Sequence, residues 1–363
     1  MPHSHRASAD AAAWSLLLDR MSRQDAAALV AEHGDVFAAL TRGRLPGLRS
    51  ARLRAAIARR LEECRAHGIG LLCADENGWP ERLTAIPDAP RLLHYRGAIE
   101  LLDRTAIAIV GARRASRAGT AFAEALAGSL AAIGVVVVSG LALGVDAAAH
   151  RGALDAGGAT LAVLGSGVDR TQPVSNAPLA RDLLLGQGLL ISEYPRGTPA
   201  APFRFPERNR LIAGLSLGVV VVEASARSGS LITARLAAEQ GREVMAVPCT
   251  PGLANAAGTN RLLKQGAALI ESAEDVLNAL GRDLPGGLSG PVPSGPAPAD
   301  TNGLTPELVR VLDRLDGRAQ NLDSLVTSTG LDAQACVIAL TELELGGFVQ
   351  RLTDGYIRRP SAY

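Results

Sequence analysis

Lysine is almost missing from this chain. Lys264 is the single one, and the other basic side chains are arginines. That excludes lysine-dependent chemistry elsewhere in the chain, including a P-loop that closes on phosphates with its lysine. An arginine bias this complete reads as the mark of a GC-rich genome. Cysteine is also scarce: Cys64, Cys73, Cys249 and Cys336 are scattered with no C-x-x-C pair, which excludes a disulfide framework and the usual zinc sites. Net charge is only +1, so long-range steering of a polyanion is weak and any nucleic-acid site must be a local patch. No apolar run approaches the length of a membrane span, and the polar start Met1-Pro2-His3-Ser4-His5-Arg6 lacks the apolar core of a secretion signal. The expectation is a soluble cytoplasmic protein with no membrane partner. Aromatics make up 3% of residues, so any cluster of them stands out.

With 363 residues, 47% of them hydrophobic, the chain has enough length for two or three domains and enough apolar surface for a sizeable core. From about Ala9 to Leu61 apolar residues recur at helical spacing, as in Trp14 to Leu18 and Leu53 to Ile57. Between these helices Arg42-Gly43-Arg44-Leu45-Pro46-Gly47-Leu48-Arg49 reads either as a simple turn or as the hairpin of a helix-hairpin-helix (or SAM-like) module. This N-terminal helical domain and a lead-in segment are assigned to residues 1–98.

Over residues 99–283 the pattern becomes α/β. The apolar runs Ala106 to Val110, Val135 to Val138, Leu161 to Leu164, Leu189 to Ile191, Val219 to Val222 and Val244 to Val247 alternate with amphipathic helices. Short, wholly apolar strands separated by helices indicate a parallel sheet covered on both faces. The expected core is therefore a Rossmann-like, doubly wound sheet whose ligands collect at the C-terminal strand ends. Residues 284–303 are rich in Pro, Gly and Ser and read as a linker. Over 304–363, Thr305-Pro306-Glu307 opens a helix with proline at its first position. Two further helices and a two-stranded wing follow, a winged-helix pattern. Acids outnumber arginines there, and the helix from Asp332 to Leu345 has no basic residue. A groove-reading helix is usually basic, so a protein-contact or regulatory role is favoured for this domain.

The functional signals sit at the strand ends. Val110-Gly111-Ala112-Arg113-Arg114-Ala115-Ser116 places a glycine where strand turns to helix, with Arg113 and Ser116 as side-chain donors for an anion. Ser139-Gly140-Leu141 and Gly165-Ser166-Gly167 end the next two strands, so three glycine-bearing turns line one edge. Arg227-Ser228-Gly229-Ser230 precedes another helix and also suits a phosphate. Asp146 and His150, at i, i+4 on one helix, read either as a catalytic or metal pair or as a cap and a loop anchor. With no third ligand or nucleophile evident, the second reading is favoured. Glu223 reads as a general base or, preferably, as an acceptor for backbone amides or arginines. Most informative is Phe205-Pro206-Glu207-Arg208-Asn209-Arg210, with Tyr194, Arg196, Phe203 and Arg204 just upstream. Guanidiniums flanking an amide form a fork of donors, and planar rings beside such charge suit a single-stranded nucleic acid.

Together these blocks resemble the DNA-processing protein A (DprA or Smf) family. The resemblance rests on Val110 to Arg113, Ser139 to Asp146 with His150, and Gly165 to Asp169. It continues through Ser192 to Pro195, Phe205 to Arg210, Ser228 to Ala234 and Gly258 to Arg261, and upstream through Trp79 to Leu83 and Pro90 to Gly97. It implies a non-enzymatic mediator without a cofactor that binds single-stranded DNA, dimerises, displaces single-strand binding protein and loads the RecA recombinase during natural transformation. Carried over residue by residue, Gly111, Arg113, Ser139, Gly140, Gly165, Ser166, Arg208, Asn209 and Arg210 are expected to line the phosphate pocket, and the strand-end turns add Ser116, Gly167, Ser228 and Gly229 to the expected site. Phe205 either contacts a base or packs under the loop. Alanine at both Arg208 and Arg210 is expected to weaken binding and leave the fold intact. The chain departs from the family at Pro248-Cys249, where Pro-Gly is usual, and at Gln172-Pro173, where Tyr-Pro is frequent. The alternative is a nucleotide phosphoribohydrolase on a related fold, but its Pro-Gly-Gly-x-Gly-Thr-x-x-Glu turn would here end in Leu236 instead of glutamate.

Overall fold

The computed structural model describes residues 8–42, 50–74, 76–281, 304–315, 320–345, 348–352 and 355–358. The arginine-bearing turn over 43–49 and the linker over 284–303 lie outside them. The chain divides into two compact units, one up to residue 292 and the other from 293.

The first unit is built on a nine-stranded sheet of order β1-β2-β6-β5-β4-β3-β7-β8-β9. Its strands are β1 Gly70–Cys73, β2 Leu92–Gly97, β3 Ala106–Val110, β4 Val136–Ser139, β5 Thr160–Val163, β6 Gly188–Ser192, β7 Gly218–Val221, β8 Glu243–Ala246 and β9 Ala268–Leu269. From β6 to β9 every pairing is parallel, so the expected doubly wound core is what forms. β1 and β2 add to its edge antiparallel. The segment expected as a mere lead-in therefore supplies two strands of the sheet itself.

Strand residues alternate between two cores, as the pleat requires. In β3, Ala106, Ala108 and Val110 join one core with α9 (Arg204–Leu215) and α10 (Ser230–Glu239). Ile107 and Ile109 join the other with α6 (Arg117–Ala132), α7 (Val145–Asp155) and α12 (Ala273–Leu280). Burial on both faces is why these strands read as unbroken apolar runs. The short α5 (Glu81–Thr84) covers the first core, α8 (Ala177–Leu185) packs beside β6, and α11 (Ala257–Lys264) follows β8.

The N-terminal helices are α1 Ala9–Leu18, α2 Arg23–His33, α3 Val36–Arg42 and α4 Ser50–Ala66. Their core, including Trp14, Leu17, Leu53 and Ile57, is continuous with Leu71, Cys73 and Leu92 of the sheet edge. A buried polar tie, Ser15 Oγ to His94 Nε2 at 2.9 Å, fixes α1 on β2. Helices and sheet are thus one unit.

The second unit holds α13 Pro306–Leu312, α14 Leu322–Thr329, α15 Ala333–Leu345 and the hairpin β10 Val349–Leu352 with β11 Gly355–Arg358. Thr305 caps α13 ahead of its first-position proline. Leu308, Leu312, Leu325, Leu340 and Val349 form its core. This is the expected winged helix.

Candidate functional site

The strand order reverses between β3 and β7, and their C-terminal ends diverge there into opposite connections. At that switch point lies a cleft of about 600 Å³. Its walls include Gly111-Ala112-Arg113-Arg114 after β3, Phe205, Pro206, Arg208 and Asn209 on α9, Ser225 and Ser228 to Ser230 at the start of α10, and Asn255 after β8. Arg113, Arg114 and Arg208 supply its positive charge, and among the described residues Asp146 is the one carboxylate lining it.

Two of the amide-rich turns at this rim are already filled by the protein's own carboxylates. Glu223, just past β7, accepts from the Ser116 amide at 2.9 Å and from the Ser116 hydroxyl. A Cβ on Gly119 would lie 2.5 Å from the Glu223 carboxyl carbon, so this carboxylate rests directly on the first turn of α6. Asn255 ties it further, donating to Glu223 at 3.1 Å and to the Arg114 carbonyl at 2.8 Å. Glu223 therefore sits where a nucleotide phosphate sits in many doubly wound proteins.

Asp146 does the same for the turn after β4, accepting from the Gly140 amide at 3.1 Å and the Ala142 amide at 3.4 Å. Asn176 donates to the carbonyls of Leu141 and Ala142 at 2.9 and 3.1 Å. These ties hold Leu141 at φ 56°, a conformation that a branched, buried side chain adopts only when its surroundings enforce it. Burial pushes the Asp146 carboxyl above its ordinary value, opposed by the Arg208 charge and the two amides. His150 is wholly buried, hydrogen-bonds Thr160 Oγ1 at 2.7 Å through Nδ1, and is pulled down to about 3 by that burial. Asp146 and His150 are thus a turn brace and a core histidine. Among the described residues no group of three or more His, Cys, Asp or Glu is placed to hold a metal ion.

What lines the cleft beside these carboxylate-filled turns is arginine and ring. Arg208 is 4% exposed. It donates to the Val163 carbonyl and lies flat on Gly140, where a Cβ would come within 2.0 Å of its Nη1. Only glycine fits beneath that guanidinium. Burial pulls Arg208 down to about 10, opposed by Asp146. Arg113 is exposed and stacks its guanidinium 5.3 Å from the Phe205 ring centroid. Phe205 in turn packs over Gly165, whose Cβ would lie 3.1 Å from its ring. Ser228, Gly229 and Ser230 at the start of α10 line the cleft, but the first amides of that helix are engaged: Ser228 Oγ accepts from the Ser230 amide at 3.4 Å, and the Ser228 and Gly229 carbonyls accept from the Leu231 and Ile232 amides at 3.1 Å each. Asn209 reaches across to the Gly229 carbonyl at 3.5 Å.

Of the residues singled out in the sequence, the structure brings Gly111, Arg113, Phe205, Arg208, Asn209, Ser228 and Gly229 together in the cleft. Gly140 and Gly165 act as floors under Arg208 and Phe205. The others lie outside the lining. Ser116 is committed to Glu223. The Ser139 hydroxyl donates to the Ile109 carbonyl at 2.7 Å and that of Ser166 to the Arg170 carbonyl at 2.5 Å. Gly167 packs against the Pro195 carbonyl. Arg210 faces the other way, its Nη2 at 2.6 Å from both carboxylate oxygens of buried Glu193. Conversely, Arg114 and Asn255 line the cleft without being among the residues expected there. Arg114 is visible in the sequence as the second arginine of its turn, whereas Asn255 arrives from a remote loop with no local signal.

Fold and site together define a doubly wound α/β protein with an arginine-lined cleft at its switch point and a winged-helix domain. The sequence profile described as DNA recombination-mediator protein A matches residues 70–281, more than half of the chain, and that described as DprA winged helix domain matches residues 295–355. The chain belongs to the DprA/Smf family. It is 38% identical over 288 residues to Protein Smf of Escherichia coli (strain K12), covering 79% of this chain and 77% of that one. It is 45% identical over 201 residues to DNA processing protein DprA of Streptococcus pneumoniae, covering 55% and 70%. Among solved structures, DNA processing protein A from Streptococcus pneumoniae matches with a TM-score of 0.60 at 34% identity, covering 73% of this chain and 97% of that one. The protein from Helicobacter pylori, whose structure was described for its single-stranded DNA binding mode, matches with a TM-score of 0.54 at 32% identity, covering 59% and 96%. No helix among the described residues is long and apolar enough to cross a membrane.

Proposed function

We propose that the protein binds single-stranded DNA in the switch-point cleft and acts there as a recombination mediator. One observation carries this reading: exposed Arg113 stacked on Phe205, with Arg114 and Arg208 in the same lining, offers cations for phosphates and a ring for an unstacked base. A ring that stacks on bases needs them unpaired, which selects single strands over duplex. The relatives named for DNA processing, and the Helicobacter pylori protein described binding a single strand, support the same reading. The finer proposal is that a cytoplasmic homodimer guards incoming strands, displaces single-strand binding protein and loads RecA during natural transformation. The cleft holds its strand without cutting it.

Fluorescence anisotropy with oligo-dT tests the binding. Affinity should fall steeply with salt and vary little among sequences. Arg113→Ala should lower the salt slope by about 0.7, the share of one phosphate contact on a single strand. Phe205→Ala should weaken binding by about 1–3 kcal/mol. Wild-type binding by both variants would remove the cleft from the reading. Release of free base from nucleoside monophosphates would replace the mediator with a phosphoribohydrolase. Failure to raise RecA strand exchange on strands coated with single-strand binding protein would sink the loading step alone.

A further inference from the structure

The loop from Pro199 to Phe203, which leads into α9 beside the cleft, carries a second ring, Phe203, which the cleft does not use. Phe203 is 60% exposed, a costly placement for a large ring. Yet it is braced: the Arg204 guanidinium lies 5.3 Å from the Phe203 centroid and 4.9 Å from that of Tyr194. Ring, guanidinium and ring thus form one stack of cation–π contacts. Both half-buried partners of Phe203 in that stack are themselves held. Arg204 donates to the Pro199 carbonyl, and the Tyr194 hydroxyl donates to Glu207 at 2.7 Å.

Beneath the stack a separate hollow of about 420 Å³ opens between this loop and the α1–α2 turn. Its carboxylates are engaged: Asp19 by Arg60, Glu193 by Arg210 and Glu207 by the Tyr194 hydroxyl. Arg20 lines the hollow from the N-terminal side, donating to the Leu16 carbonyl at 3.2 Å. Phe203 and Arg204 border this hollow, and Pro202 and Phe205 border the cleft, so the loop and the first turn of α9 are the wall shared by both.

We infer that Phe203, braced by Arg204 and Tyr194, is a second base-stacking platform, over which a single strand leaving the cleft passes towards the N-terminal helices and the Arg20 side chain. The inference rests on the single-strand reading of the cleft and extends it. A base laid on the outer face of Phe203 completes the stack and removes its exposed apolar surface from water. A phosphate following it comes within the reach of Arg20. The N-terminal helices thereby become part of the DNA path.

The test compares Phe203→Ala with wild type on oligo-dT of two lengths, about four nucleotides and about sixteen, spanning the range of site sizes on single-strand binders. The longer strand should bind Phe203→Ala roughly tenfold more weakly, the loss of one stacked base. The shorter strand, which fills the cleft alone, should bind unchanged. The salt slope of Phe203→Ala should match wild type, because no charge is removed, and Phe203→Trp should restore the longer strand's affinity. Arg20→Ala should lower the slope by about 0.7 on the longer strand only. Wild-type binding of both lengths by Phe203→Ala, with Arg113→Ala still impaired, overturns the platform and leaves the cleft standing. An equal loss at both lengths also overturns it, since Phe203 would then act through the loop on the cleft. If Arg113→Ala binds as wild type at both lengths, the cleft reading itself falls. Equal thermal melting of Phe203→Ala and wild type confirms that the exposed ring does not hold the fold.

Discussion

Arg210→Ala is expected to damage the fold and spare the proposed DNA cleft. The Arg210 and Glu193 side chains are only 7% and 8% exposed, and their charged ends meet at 2.6 Å. Arg210 Nε also lies 3.4 Å from Asp88, which Arg23 engages from the N-terminal helices. Removing one partner of a buried pair leaves the other charge uncompensated, at a cost of about 3–5 kcal/mol. At about 2–4 °C per kcal/mol for domains of this general size, melting should drop by about 6–20 °C. Burial already raises the Glu193 carboxyl above its ordinary value, and the Arg210 charge is the chief opposition to that rise. With Arg210 gone, the folded-state value climbs further. A group whose folded value is raised contributes stability below its unfolded value and loses it as pH rises through the folded one. The melting deficit of Arg210→Ala should therefore be larger at about pH 8 than at about pH 5. A double variant with apolar residues at 193 and 210 should recover most of the loss, because a well-packed apolar pair often replaces a buried ion pair at little cost. Scanning fluorimetry across pH, with oligo-dT anisotropy on the folded fraction, measures both effects. A variant that melts within about 2 °C of wild type but has lost oligo-dT binding would refute the reasoning and return Arg210 to the DNA fork.

His94 and His150 are both pulled down to about 3 by complete burial. Depressed folded values contribute stability above the ordinary histidine range that is lost as pH falls towards about 3. His150→Gln should lose less melting temperature than wild type between about pH 7 and pH 4, and parallel curves would sink the idea. Gly152→Ala places a Cβ within 2.0 Å of the Glu124 carbonyl on α6. Because backbone cannot yield as a side chain does, α6 and α7 must separate, at a cost of about 1–3 kcal/mol by denaturant midpoint. Gly128→Ala, whose Cβ would stand 3.2 Å from the Gly152 carbonyl, should be milder, and the reverse order would contradict this packing.

The doubly wound core is legible in the sequence because its strands are buried on both faces. A continuous apolar run as short as Val135 to Val138, set between helices, fits a strand covered on both sides and little else. β1 and β2 escape the same reading: both pair antiparallel, β1 is the sheet's edge, and β2 mixes His94, Tyr95 and Arg96 into its run. The arginine fork misleads for a different reason. Pro206 suggests a loop, yet it falls in the first turn of α9, where its missing amide hydrogen costs nothing. Arg208 and Arg210 are therefore two residues apart on a helix, roughly 200° around its axis. One side chain reaches the cleft and the other must reach the opposite side, where Glu193 receives it.

Glu223 and Asp146 illustrate what a linear reading cannot supply. Glycine turns at three strand ends promise an anion rim, but the anions that occupy two of those turns come from the chain itself. In the case of Glu223 the partner, Ser116, is 107 residues away. This changes the chemistry left to a ligand. A doubly wound protein that grips a nucleotide phosphate with the first helix N-terminus fixes that nucleotide in one place and orientation. Here that position holds Glu223. The cations left facing the cleft are side chains spread along its walls, with a ring at its mouth. Spread guanidiniums and a stacking ring hold successive phosphates and any base, at an affinity that falls with salt. Replacing Glu223 with glutamine should therefore leave oligo-dT binding nearly unchanged, because the amide oxygen still accepts from Ser116 and the carboxylate faces α6 instead of the strand.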